Sequence, residues 1–203
     1  MLLGLTGYSG VGKDEVAKIL VGRGFQRRAF ADVVRRFLEL QDPNVRGYRK
    51  DSPADLAAFH GGWDEAKRIE PELRPLLQRT GMALREVFGE DVLVDAVFGG
   101  VLHKPVYYDF GPEDYDLIPD EDLVISDVRL PNEARAIKDR GGVIWRVERP
   151  GYGPVNDHES ETAMDGEAVR VTISNEGNLE DLALQVERHL GLKPRLQNLS
   201  SRL

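Results

Sequence analysis

The chain of 203 residues has no cysteine, and aromatic residues make up only 7% of it. The absence of cysteine excludes disulfide bonds, thiolate metal sites and cysteine nucleophiles, and it is typical of the reducing cytosol. No apolar run approaches the ~18 residues that a membrane span needs. The N-terminus also lacks the basic flank and long apolar core of a secretory signal. We therefore expect a soluble, cytoplasmic protein that binds no membrane.

Positive charge is also in short supply, because 27 basic residues face 35 acidic ones and the formal net charge is −8. This balance argues against a protein whose main role is to coat nucleic acid. The four histidines have no HxxxH-type spacing, so no zinc site is expected. A chain of this length can bury about 70% of the surface that it exposes when unfolded. We expect one domain over residues 1–192, followed by a flexible tail over 193–203.

Short apolar segments alternate with helical patterns along the chain. The expected strands cover residues 1–6, 25–30, 123–126, 143–147 and 169–174. The expected helices cover residues 13–22, 33–40 (with Asp32 as N-cap), 73–88, 92–101, 131–140 and 179–190. Residues 41–62 are expected to form a loop or broken helix, and 108–122 an exposed acidic connection. This alternation is typical of an α/β protein with a parallel sheet covered on both faces.

A glycine-rich segment, Gly7 to Lys13, follows the first expected strand and precedes the first helix. It matches the phosphate-binding loop in the context that this motif requires. The N–H groups of Gly10, Val11 and Gly12 can converge on a phosphate, and Lys13 supplies a mobile cation. Asp14 stands where Ser or Thr is usual, and its carboxylate can hold Mg²⁺ directly or through water. The alternative is an ordinary glycine-rich turn with a solvated lysine.

Asp127 and Arg129 follow a buried strand, at the sheet edge where open α/β sheets bind ligands. Asp127 can hold a Mg²⁺-bound water, and Arg129 can clamp a phosphate. Alternatively, Asp127 caps the helix that begins at Pro131.

One face of the 73–88 helix carries Gln78, Gly81 and Arg85. Arg85 can bind a phosphate through its guanidinium fork, and Gln78 can pair with a base edge. A glycine within a helix costs ~1 kcal/mol relative to alanine, so a group packed on its backbone would account for it. A solvated polar face with an incidental glycine is the alternative.

Arg149 precedes a Gly- and Pro-rich loop over residues 150–166. A mobile loop that carries an arginine suits phosphoryl transfer, because its closure excludes water and brings positive charge. The same loop holds His158, Ser160 and Glu161, but nothing resembles a nucleophile elbow, so a hydrolase is not expected. The lack of an obvious general base suits a phosphate acceptor, whose second pKa of ~6 leaves it largely ionised near neutral pH.

Several motifs occur in one order from Leu3 to about Leu190. They are Gly7–Asp14, Phe30–Asp32, Gly62–Asp64 with Lys67, Leu77–Gly81 with Arg85, Gly89–Asp91, Ile125–Glu133, Val147–Gly151, Asp157–Glu161 and Ile173–Gly177. Together they resemble the deoxynucleoside monophosphate kinases of bacteriophages, P-loop proteins related in fold to adenylate kinase. The sequence departs from that pattern at Glu15, where Thr is common, and at Leu93, where Trp is usual.

The resemblance implies a three-layer fold with five parallel strands, an acceptor region at about 30–101 and a lid at about 149–166. It implies ATP as phosphoryl donor, bound by Gly10, Val11, Gly12, Lys13, Asp14 and, near adenine, Asn175, with Mg²⁺ at Asp14 and Asp127. The acceptor residues it implies are Phe30, Asp32, Arg35, Trp63, Gln78, Gly81, Arg85, Arg129, Glu133 and Glu161. Catalysis would rest on Lys13, Arg129 and Arg149.

The predicted reaction transfers the γ-phosphoryl group of ATP to a deoxynucleoside monophosphate, giving the diphosphate and ADP. The expected partners are therefore these two nucleotides. A homodimer stays open, and the location is the host-cell cytoplasm if the chain is phage-encoded. Two alternatives remain: another small-molecule P-loop kinase, such as one that acts on dephospho-coenzyme A, and a P-loop nucleotide-binding module without a small acceptor.

Overall fold

The computed structural model describes residues 1–41, 52–99 and 122–191. The chain divides into two compact units, the first made of Met1–Arg27 with Glu121–Leu203 and the second of Arg28–Asp120. The expected tail at 193–203 lies outside the described residues, as does the acidic connection except for Asp122. No helix within the described ranges is long and apolar enough to cross a membrane.

Five strands form one sheet. They are β1 (Leu2–Thr6), β2 (Gln26–Arg28), β3 (Leu123–Ile125), β4 (Val143–Glu148) and β5 (Val171–Ser174), in the order β2-β3-β1-β4-β5. The central strand β1 pairs in parallel with β3 and β4, and β4 pairs in parallel with β5. The predicted α/β class with a five-stranded parallel sheet is confirmed.

The helices follow the sequence pattern closely where apolar periodicity is strong. They are α1 (Lys13–Val21), α2 (Phe30–Gln41), α3 (Pro53–Phe59), α4 (Trp63–Ile69), α5 (Leu73–Phe88), α6 (Val92–Phe98), α7 (Pro131–Asp139), α8 (Glu159–Thr162) and α9 (Leu179–His189). The prediction of Asp32 as an N-cap is wrong, because α2 already begins at Phe30 and Asp32 lies in its first turn.

A helix also forms within the stretch expected to be a loop or broken helix. Ser52 accepts a hydrogen bond from the N–H of Asp55 at 3.1 Å, and the Asp55 carboxylate accepts one from the N–H of Ser52 at 3.3 Å. Pro53 occupies the first turn, where its missing N–H costs nothing. This capping box starts α3 although the segment is too short to show a clear apolar period.

The sheet is covered by helices on both faces. Alternate side chains of a strand point to opposite faces. In β1, Leu3 and Leu5 are fully buried in a cluster with residues of α1 and α9. On the other face, a Cβ at Gly4 would lie 2.8 Å from Cδ1 of Ile137 in α7. The predicted three-layer arrangement is therefore confirmed for the first unit.

The second unit contains α2 to α6, which pack on one another. Phe30 is buried with its ring edge-on to Phe98, at 6.5 Å between centroids. In α5 the buried face ends at Leu84, since Val87 and Phe88 are 71% and 67% exposed.

Two leucines of α9 provide a matched test of this packing. Leu182 is 1% exposed and Leu184 is 43% exposed. We expect Leu182→Ala to lower the free energy of unfolding by about 2–5 kcal/mol, because it leaves a cavity between helix and sheet. Leu184→Ala, which changes the same atoms on the solvent side, should cost less than about 0.5 kcal/mol. Urea denaturation measures both, and equal losses would contradict the assigned faces.

Candidate functional site

The loop between β1 and α1 is closely packed along its length. Gly7 and Gly12 have φ angles of +132° and +103°, which favour glycine. Substituting a side chain would also cause collisions: a Cβ at Gly7 would meet the Val147 carbonyl oxygen, and one at Gly12 would meet Nδ2 of Asn175. The bare backbone is therefore required for the loop to close between β4 and the end of β5. Its last residue, Gly12, leads directly into the N-terminus of α1.

Lys13, the first residue of α1, is held inside this loop rather than in solvent. Its side-chain Nζ donates to the carbonyl oxygens of Gly7 and Tyr8, each at 2.7 Å. Burial, followed by the charge of Arg129, lowers the pKa of Lys13 to about 8, while Asp14 and Asp127 act in the opposite direction. The interpretation of the segment as a turn with a solvated lysine is therefore excluded.

The backbone after β3 is held by hydrogen bonds to β1 and to Glu133. The N–H of Val128 donates to the carbonyl oxygen of Leu5 at 2.9 Å, which ties it to β1. The carboxylate of Glu133, which is 1% exposed, accepts from the N–H groups of Arg129 and Leu130 at 2.7 and 3.1 Å. Glu133 thus caps α7 and holds the segment that carries Asp127 and Arg129. The acceptor-binding role predicted for Glu133 stays a prediction.

Arg129 meets the predicted lid through its side chain. Its Nη1 lies 3.2 Å from Oε1 of Glu161, a buried carboxylate on α8. This ion pair brings together two residues that are 32 positions apart in sequence. Because both lie in the first unit and Arg129 also affects the pKa of Lys13, the loop, the β3 end and α8 form one charged centre.

In the described part of the chain, two clefts that share no lining residue border the phosphate loop. The loop cleft, of about 440 Å³, is lined by Gly10, Gly12, Lys13, Asp14, Glu15, Arg149, Asn175, Gly177, Asn178 and Leu179. The lid cleft, of about 260 Å³, is lined by Thr6, Gly7, Tyr8, Val128, Arg129, Arg146, Val147, Glu148, Ser160, Glu161, Met164 and Asp165. The loop cleft contains most of the residues predicted to bind ATP, and the lid cleft contains Arg129 and Glu161.

The loop cleft is bordered by the N-termini of two helices, α1 and α9. Asn175, after β5, donates from Nδ2 to the carbonyl oxygen of Val11 at 2.8 Å and so covers the loop. Asn178 caps α9 by accepting from the N–H groups of Glu180 and Asp181. Helix N-termini carry partial positive charge, so this cleft favours an anionic ligand.

The far end of the predicted lid is held by residues that the sequence motifs do not single out. The Tyr8 hydroxyl donates to the Asp165 carboxylate at 2.9 Å, and this bond, with burial, raises the pKa of Tyr8. Arg146 of β4 donates to the carbonyl oxygens of Met164 and Asp165. The segment predicted to be a lid is therefore anchored at its start by β4 and at its end by Arg146.

Mg²⁺ fits the donor set at the loop. The described ranges contain no group of three or more His, Cys, Asp or Glu side chains that could hold a metal. Magnesium does not need one, because it keeps several waters and takes one or two carboxylates together with phosphate oxygens. Asp14 lines the loop cleft, and the carboxylates of Asp14 and Asp127 are both close enough to raise the pKa of Lys13.

In the second unit, three predicted acceptor residues lie together. Arg35 donates to Asp32 at 2.8 Å, and its Cζ lies 6.0 Å from the centre of the Trp63 ring. Asp64 joins this group, 3.8 Å from Arg35 and 2.6 Å from Nζ of Lys67. Phe30, another predicted acceptor residue of this unit, is buried against Phe98 instead.

Gly81, within the stripe on α5, lies against α2. It is buried, and a Cβ there would lie 3.3 Å from Nη1 of Arg85 and 3.6 Å from Cγ2 of Val34 in α2. Arg85 donates to the Gly81 carbonyl oxygen at 3.2 Å. Because 3.6 Å is an ordinary van der Waals distance and the arginine side chain can shift, packing does not require a glycine here. Roles of Gln78, Gly81 and Arg85 in acceptor binding stay predictions.

Comparison with known proteins found no matching family model. A curated protein of Acanthamoeba polyphaga mimivirus, named "Putative deoxynucleotide monophosphate kinase", is 29% identical over 196 residues, covering 92% of this chain and 94% of the relative. The crystal structure of TT1252 from Thermus thermophilus matches 94% of this chain and 96% of its own, at 18% identity and a TM-score of 0.40. A structural likeness of this size carries no argument about activity.

The low pKa of Lys13 predicts how stability depends on pH. Below about pH 8 the Lys13 side chain is protonated in both the folded and the unfolded state, so the folded state bears the full cost of the buried charge. Between about pH 8 and 10.5 the Lys13 side chain is protonated only in the unfolded state. The stability of the wild type relative to Lys13→Met should therefore rise by about 1.4 kcal/mol per pH unit in this window. Urea denaturation of both proteins from about pH 7 to about pH 10 measures the difference, and parallel curves would contradict it.

Proposed function

We propose that the chain is a Mg²⁺-dependent kinase that transfers the γ-phosphoryl group of ATP to the 5′-phosphate of a deoxynucleoside monophosphate. The observation that carries the proposal is the buried ammonium of Lys13, held in a phosphate loop with Arg129, Asp14 and Asp127 around it. The mimivirus relative, by its printed name, supports a nucleotide kinase. The bacteriophage branch of such kinases stays a prediction.

The donor triphosphate would occupy the loop cleft. Its phosphate oxygens can accept from the N–H groups of the loop and of the first turn of α1, which have no intrahelical partners. The bonds to Gly7 and Tyr8 orient Lys13 and use two of its three N–H groups, so a phosphate oxygen can accept from the third. A cation held in place before the ligand arrives loses little entropy on binding.

Arg129 would grip the acceptor phosphate. Glu161 already holds the guanidinium in place through an ion pair. Glu133 holds the backbone by accepting hydrogen bonds from the N–H groups of Arg129 and Leu130. A guanidinium suits a phosphate because its N–H donors form a planar fork. Arg85, in the second unit, stays a prediction from the sequence.

The attacking oxygen needs no dedicated base. A nucleotide phosphate is largely ionised near neutral pH, so its oxygen attacks the γ-phosphorus without first losing a proton to the protein. The bond to the β-phosphate oxygen breaks, and ADP leaves with that charge. The work of the protein is to align two anions and to neutralise them, and Arg149 at the start of the lid adds charge as the lid excludes water.

Mg²⁺, held by Asp14 and Asp127, would neutralise phosphate charge when bound. Two carboxylates near the buried lysine also keep the local charge close to balance before any nucleotide binds.

An acceptor panel tests the proposal. We expect the protein with Mg²⁺ and ATP to release ADP when one or more of the four deoxynucleoside monophosphates is added, with the diphosphate as product. The ribonucleotides measure sugar selectivity, and dephospho-coenzyme A tests transfer to a hydroxyl. Release of ADP that is independent of any acceptor would support a nucleotide-binding module instead and contradict the proposal.

Two lysines of α1 separate the role of the loop from that of charge in general. Lys13→Met should lower kcat by about 10²-fold or more, because a preorganised cation at the transferring group is lost. Lys18→Met is the matched control, since Lys18 is exposed and its ammonium pairs with Glu15 at the surface, at 2.7 Å. It should keep kcat within about twofold. A folded Lys13→Met protein with unchanged turnover would remove the loop from the mechanism.

A further inference from the structure

The start of the lid is built by a tight turn. Residues 149–152 read Arg-Pro-Gly-Tyr, and the N–H of Tyr152 donates to the carbonyl oxygen of Arg149 at 3.2 Å. Pro150 fits the second position of a turn, and Gly151, with a φ of +79°, fits the third. Such a turn brings the side chains of its first and fourth residues to the same side.

This turn creates a pair of side chains at its base. The guanidinium carbon of Arg149 lies 5.1 Å from the centre of the Tyr152 ring, within the range of a cation–π interaction. Both side chains are exposed, so few other contacts limit the rotamers of Arg149. The ring is therefore a surface that restricts where this guanidinium can lie.

The ring is itself fixed by the phosphate loop. A Cβ at Gly10 would lie 2.9 Å from Cε1 of Tyr152, so the ring rests on the bare backbone of that glycine. Arg149 lines the loop cleft together with Gly10, Lys13 and Asp14. Gly10 of the loop thus contacts the Tyr152 ring, and the ring contacts the guanidinium of Arg149, which lines the cleft.

We propose that Tyr152 is a positioning residue, whose ring, seated on Gly10, holds the Arg149 guanidinium at the loop cleft where the donor phosphates bind. The proposal rests on the proposed function, because Arg149 is useful there only toward a nucleotide. It assigns Tyr152 no contact with the reacting atoms. It also explains why an exposed tyrosine follows the turn.

The test separates the ring from the hydroxyl and from apolar bulk. Tyr152→Leu, which removes the π face, should lower kcat by about two- to fivefold, the range expected for losing a cation–π contact between exposed side chains. Tyr152→Phe keeps the ring and should leave kcat at the wild-type value. Val155→Ala, an exposed position of the same lid, is the control for disturbing the segment, with kcat unchanged. A Tyr152→Phe protein as impaired as Tyr152→Leu would overturn the proposal.

A double-mutant cycle shows whether Tyr152 acts through Arg149. In an Arg149→Met background, Tyr152→Leu should have no further effect, because there is no guanidinium left to orient. Equal fold-losses from Tyr152→Leu in both backgrounds would show a merely structural role and overturn the proposal. Thermal unfolding checks that each variant folds.

The four proteins of this cycle (wild type, Tyr152→Leu, Arg149→Met and the double variant) are also titrated with a non-hydrolysable ATP analogue. Arg149 lines the loop cleft before any reaction, so the coupling with Tyr152 should be present in the dissociation constant as well. If no acceptor supports turnover, the proposed function fails, while the titration still decides on Tyr152. Additive losses of affinity would then count against the pairing.

Discussion

The ammonium group of Lys13 lies inside the loop between β1 and α1 and donates hydrogen bonds to two carbonyl oxygens of that loop. Removing such a charge from water is unfavourable, and this burial, followed by the charge of Arg129, lowers the pKa of Lys13. The surrounding structure supports it with Asp14, Asp127 and the closely packed glycines. Other features of the first unit keep this lysine in place. Gly7 and Gly12 leave room for the close approach of Val147 and Asn175, Asn175 covers the loop, and Glu133 holds the segment after β3.

A parallel sheet supplies the geometry for this arrangement. The carboxyl ends of β1, β3 and β4 meet at one edge, so the loop, the Asp127–Arg129 segment and the start of the lid become neighbours. Hydrogen bonds then fix each piece locally, as between Val128 and Leu5 or between Glu133 and the backbone of Arg129. The charged side chains lie close together because the strands that precede them end at the same edge of the sheet.

The sequence predicted the sheet, the loop and its lysine because those signals are local: an apolar run, glycines at set spacing and a helical period. It did not predict α3, whose signal is a cap at Ser52 rather than a period. The contacts of Tyr8 with Asp165, and of Tyr152 with Gly10, join residues far apart in the chain, and no spacing rule reports them. Only the Arg-Pro-Gly-Tyr turn could have pointed to Tyr152.

The central position of β1 has a consequence for biosynthesis. Its paired neighbours are β3 and β4, whose residues begin at Leu123 and Val143. A ribosome adds residues at ~5–20 per second, so the first strand must wait on the order of ten seconds before either neighbour exists. During that interval its apolar side chains have no native sheet to join. The second unit, by contrast, is encoded without interruption, so the helices that pack on one another within it are all available earlier. The nascent chain is thus expected to order from its middle, with the phosphate loop among the last parts to take shape.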